Sequence, residues 1–170
     1  MLKRIVLLAL TLVMLLTSAV PARATSLSKP ERYAAAVSEL KNYLNDLESV
    51  SLDVLLTQFS ELGNYEQSFN LKVYTEALYN MEAGNFEQVH YDLDYLCKSA
   101  IFSAWLEKEA LGTLLEMDTY AYALEAEQCG DWETALDCYE QSIDFKDGGM
   151  RYKQLYDRMM DEKYAFLLNL

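Results

Sequence analysis

Histidine is almost missing from this chain, and most hydrolytic chemistry goes with it. His90 is the only one in 170 residues, so a Ser-His-Asp or Cys-His nucleophile would have to be built around that single imidazole. It is read instead as a surface or partly packed side chain of a helix. Cysteine is scarce and odd in number. Cys97, Cys129 and Cys138 cannot form a closed disulfide framework, and their spacing fits no zinc site; they are expected as small buried thiols. No glycine-rich phosphate loop or dinucleotide fingerprint occurs, and "DFKDGG" lacks the alternating oxygen ligands of a calcium loop. No cofactor and no metal are therefore expected. Carboxylates could still act in pairs, as they do on glycosides. Yet Asp92 and Asp94, Glu125 and Glu127, and Asp131 and Glu133 each stand two apart, which on a helix aims them to different sides.

Basic residues are also few. There are 14 Lys and Arg against 27 Asp and Glu, a net charge of −13, which disfavours nucleic acid and anionic membrane as partners. Three of the bases lie in the first 24 residues, where Lys3 and Arg4 precede the apolar run Ile5 to Leu16 and Ala22 and Ala24 follow. Residues 1–24 read as a secretory signal peptide cleaved after Ala24. Its apolar run is about a dozen residues, short of the roughly 20 that a spanning helix needs. The remainder, 25–170, is expected to be one domain, secreted or otherwise extracytoplasmic at the cell surface or envelope, with no membrane insertion after cleavage. Its charge is uneven: Glu116 to Glu140 holds eight acids and no base, whereas Gly148 to Leu170 carries four bases and three acids. A basic final helix beside an acidic hairpin would be locally complementary.

Proline is limited to Pro21 and Pro30, and no convincing strand pair is present. Apolar residues recur three and four apart, as at Tyr33, Val37, Leu40, Leu44 and Leu47, so the chain is expected to be all-α. An internal repeat organises the helices. An offset of 46 superposes Tyr74 on Tyr120, Ala77 on Ala123, Leu78 on Leu124, Gly84 on Gly130, Asn85 on Asp131, Phe86 on Trp132 and Val89 on Ala135. The glycines are placed to end one helix in the left-handed conformation, Asn85 and Asp131 to cap the next, and Phe86 and Trp132 to anchor its first turn. Ala77 and Ala123 are small where two helices approach, opposite Val89 and Ala135. Phe59, Leu93 and Tyr139 share one place in three successive second helices, 34 and then 46 residues apart. "LGNYEQS" and "SIDFKDG" follow the first and third of these, with Tyr65 over Phe145.

A 34-residue period of two helices marks tetratricopeptide repeats. The chain resembles that family, most clearly in "GDWETALDCYEQSIDF" from Gly130 to Phe145. It is similar to the secreted bacterial variants with a Gly-Asp-Tyr-Lys-Asp-Ser-like turn, echoed here by "GNYEQS" and "DFKDGG". The resemblance implies a short right-handed solenoid of about three antiparallel hairpins, near 30–61, 66–97 and 113–145, closed by a C-terminal capping helix at 148–167. The 12 residues by which 46 exceeds 34 are assigned to an extra helix at 100–111. Thr113 and Glu116 offer a capping box for a new start, against the alternative of one unbroken helix from 99 to 129.

The resemblance also implies an interaction scaffold. First helices line the concave side of such an array, which would bring Tyr74, Leu78 and Met81 beside Tyr120, Leu124 and Glu127. Tyrosine and methionine among acids suit an extended protein or peptide segment with apolar and basic side chains. The competing reading has Tyr74 and Tyr120 pack repeat on repeat. Ala77, Gly84, Phe86, Ala123, Gly130, Trp132, Ala135 and Tyr139 are the structural repeat positions. The expected function is thus non-catalytic protein or peptide binding, and the alternative is a small carbohydrate-active or other hydrolase using paired carboxylates.

Overall fold

The turn that joins α-helices at Gly84 is repeated, bond for bond, at Gly130. In this computed structural model, which describes residues 27–45 and 50–168 with side chains to residue 165, the Gly84 N–H donates to the Met81 carbonyl and the Asn85 N–H to the Asn80 carbonyl. Forty-six residues later Gly130 donates to Glu127 and Asp131 to Ala126. Both glycines are left-handed, at φ 72° and 78°, a conformation that costs a side-chain-bearing residue about 1–2 kcal/mol. The second turn type is repeated at an offset of 80. Glu66 and Lys146 both hold φ near 48°, at 49° and 48°. The Ser68 N–H donates to Tyr65 and that of Gly148 to Phe145, each at 2.9 Å.

Among the described residues there are eight helices and no strand. They are α1 Lys29–Leu44, α2 Leu52–Leu62, α3 Ser68–Glu82, α4 Phe86–Cys97, α5 Ala100–Lys108, α6 Leu114–Cys129, α7 Trp132–Gln141 and α8 Gly148–Leu168. The expected signal peptide lies outside the described residues. Ser28 with Glu31, and Thr113 with Glu116, form capping boxes at the starts of α1 and α6, and the Asp131 side chain accepts from the Thr134 N–H at the start of α7. Asn85 occupies the N-cap of α4 without a side-chain cap. The chain does break between α5 and α6, with Gly112 at φ 80°.

Packing follows chain order. The main contacts are α1 on α2, α2 on α3, α3 on α4, α6 on α7 and α7 on α8, while α4 packs on both α5 and α6. The stack therefore passes over α5, the extra helix of the longer interval. Helices inside the stack must bury more than one face. In α6, Leu114, Met117, Tyr120, Ala121, Ala123 and Ala126 are all buried. Ala77, Val89, Ala123 and Ala135 are fully enclosed, as are Phe59 and Tyr139, with Leu93 at 1% exposed. These repeat positions are thus core.

Two expectations are corrected. Trp132 is 36% exposed, whereas its counterpart Phe86 is 8% exposed: on α7 the indole lies at the edge, with the Arg158 guanidinium 4.0 Å from the ring centroid. The thiols are not buried. Cys97 and Cys129 are exposed and Cys138 half-buried, because Cys97 and Cys129 are the last residues of α4 and α6, where the helices leave the core.

One buried carboxylate works against the fold. Asp92 on α4 is 7% exposed; burial raises its pKa, and a hydrogen bond from Gln88 at 2.8 Å opposes that only in part. The native state therefore holds this proton more tightly than the unfolded chain does. The resulting penalty is present in full above the folded-state pKa and fades as pH falls toward the unfolded value of about 3.9. Asp92→Asn is expected to stabilise the fold by about 1 kcal/mol at pH 7, and by nothing near pH 3. Denaturant titrations at the two pH values check this.

Candidate partner-binding groove

The six residues expected to meet a partner do not all reach the surface. Tyr74 and Leu78 are 0% and 1% exposed, Met81 and Tyr120 5% and 3%. The Tyr74 hydroxyl donates to the Leu111 carbonyl at 3.0 Å, and the Tyr120 ring lies 5.9 Å from Tyr139 and 5.5 Å from Phe145. Both tyrosines are packed inside the fold rather than offered to a partner, Tyr74 against α5 and the turn after it, and Tyr120 within its own hairpin. Only Leu124 and Glu127 are half-buried.

What the C-terminal ends of α3 and α6 do form, with α8, is an open groove. One part, of about 410 Å³, is lined by Met81, Glu82, Gly84, Leu124, Gln128 and Arg151 among others. A second, of about 380 Å³, shares Met81, Glu82, Leu124 and Arg151 and continues to Lys146 and Asp147.

Glu127 is committed to the fold at the groove's edge. Its carboxylate accepts from the Tyr139 hydroxyl at 2.5 Å and from Arg151 Nη1 at 3.2 Å. Arg151 Nε donates to Asp147 at 2.8 Å, and Asp147 also accepts from the Tyr120 hydroxyl. The network ties α6, α7, the following turn and α8 together. Burial and then the adjacent carboxylates push both tyrosine hydroxyls well above the ordinary range. Burial alone would lower the Arg151 pKa, but the Asp147 carboxylate bonded to it more than reverses that, so the guanidinium stays charged. Charge-assisted hydrogen bonds of this kind are about twice as strong as neutral ones.

The acids from Glu116 to Glu140 divide by task. Glu116 and Asp131 cap helices with their carboxylates, Glu127 holds Arg151, and Asp118 and Glu125 face His90. His90 Nδ1 lies 2.7 Å from Asp118, Nε2 lies 3.5 Å from Glu125, and the imidazole stacks on Tyr122 at 4.0 Å. That imidazole joins α4 to α6. Glu133, Asp137 and Glu140 remain exposed on α7. The charge complementarity expected between a basic last helix and an acidic hairpin takes the form of Arg151 on Glu127.

The repeat does not point to Tyr43 or Lys146, which meet at the groove's edge. Tyr43 on α1 accepts a hydrogen bond from Lys146 Nζ at 2.7 Å, across 103 residues, and donates to the Glu82 carboxylate. Neither belongs to the 46-residue repeat, so periodicity could not pair them. The equivalence of Lys146 with Glu66 was available, and only a basic residue replacing an acid at a matched turn marked it.

Among the described residues no cluster of three or more His, Cys, Asp and Glu could hold a metal ion, and no helix is long and apolar enough to cross a membrane. Compared with protein-family models, with curated proteins and with solved structures, the chain matches none of them.

Proposed function

We propose that this chain is a short right-handed solenoid of tetratricopeptide-like hairpins that acts outside the cytoplasm as a non-catalytic scaffold. It holds a segment of another protein, bearing apolar and basic side chains, in the groove between α3, α6 and α8. The observation that carries this reading is the pair of hairpin turns reproduced at offsets of 46 and 80, joined to packing in chain order. Stacked hairpins of this kind build extended surfaces. The groove supplies the rest: Leu124 and Met81 give it an apolar floor, and Glu82, with a side chain 56% exposed, gives it an accessible negative charge.

Immobilised chain should retain a partner whose bound segment is basic. Glu82→Gln, a change on an exposed side chain, should lower retention about threefold to tenfold while leaving the circular dichroism melt in place. Retention unaffected by that change would remove the groove from the account. Hydrolysis of a glycoside or peptide, lost on changing one carboxylate, would transfer the protein to the enzyme class.

A further inference from the structure

Lys146 places a cation inside the groove, at a turn whose backbone forms as well without one. Its place in the turn is filled in the first copy by Glu66, with the same backbone conformation, so the turn itself has no use for an ammonium. Its side chain is nevertheless only 13% exposed. The ammonium lies 4.2 Å from the centre of the Tyr43 ring, 2.7 Å from the Tyr43 hydroxyl and 3.7 Å from the Glu82 carboxylate. An aromatic face with a carboxylate beside it is what recognises ammonium groups in general, through the ring quadrupole and the opposite charge. One wall of this site is open, since Glu82 is more than half exposed and also lines the wider groove.

We propose that Tyr43 and Glu82 form a lysine-binding site that the chain's own Lys146 fills until a lysine side chain of the partner displaces it. This deepens the scaffold reading and rests on it for the partner, although the site can be tested without one. An internal competitor lowers apparent affinity by the fraction of time it leaves the site free, so Lys146 sets a threshold: weakly basic segments fail to displace it and lysine-rich ones succeed.

The test uses the full chain and pentalysine as the probe. Lys146→Gly removes the competitor and suits a left-handed position; it should bind pentalysine about fivefold or more tightly than the unaltered chain. Adding Glu82→Gln or Tyr43→Leu to it should cancel that gain. In the unaltered chain, the Lys146 side-chain NMR signals, displaced by the Tyr43 ring, should move toward those of free lysine as pentalysine saturates it. This second measurement decides the matter if the glycine variant fails to fold. Equal or weaker binding by folded Lys146→Gly, unmoved Lys146 signals at saturation, or no pentalysine binding by either protein each overturns the site. Partner retention that depends on Glu82 but is not raised by Lys146→Gly would strike the displacement and spare the scaffold. A pentalysine gain without any retained partner would do the reverse.

Discussion

Tyr74→Ala is expected to remove about 3–5 kcal/mol of stability. The ring is fully enclosed, meets Phe102 edge-on at 6.4 Å, and its hydroxyl satisfies the Leu111 carbonyl between α5 and α6. Truncation opens a cavity and leaves that buried carbonyl unpaired. Tyr74→Phe keeps the packing and should cost only about 1–1.5 kcal/mol. Trp132→Ala should cost less than Tyr74→Ala, about 2 kcal/mol, since the indole is already about a third exposed and leaves no enclosed cavity. Urea midpoints for the three variants give the order. Equal losses for Tyr74→Ala and Trp132→Ala would show that the edge of α7 is covered in solution.

Gly130→Val should cost about 2 kcal/mol. The cause is backbone conformation rather than space. A Cβ at Gly130 would meet only the Trp132 ring, at 3.9 Å, but φ of 78° is nearly closed to a β-branched residue. Gly130→Asn should cost less than Gly130→Val, because Asn tolerates the left-handed region. Thermal melts of the two variants separate this account from a steric one, in which the two residues, similar in size, would cost alike.

The repeat made much of the fold legible. Gly84 and Gly130 marked helix ends because few other residues adopt that conformation cheaply, and the Thr113–Glu116 box marked the start of α6 because its two hydrogen bonds are local. Ala77, Ala123 and Ala135 betrayed close approach through size alone. Exposure was harder to read. Phe86 and Trp132 are equivalent in the repeat, yet what covers each depends on the neighbouring helix, α8 in the case of Trp132, and that lies beyond the repeat. Tyr74 and Tyr120 suited packing of repeat on repeat better than a partner, but periodicity gives a face and not its occupant. Tyr43, Glu82 and Lys146 meet only through tertiary structure.

The central claim is binding of a basic segment in an acidic, partly apolar groove without turnover. The most direct test titrates salt against the complex retained by the immobilised chain. Between about 0.05 and 0.5 M the Debye length shortens from roughly 14 to 4 Å, and the dissociation constant should rise about tenfold or more, with Glu82→Gln already partly weakened at low salt and less sensitive to the change. A dissociation constant unchanged across that range, and alike for the two proteins, would contradict the account.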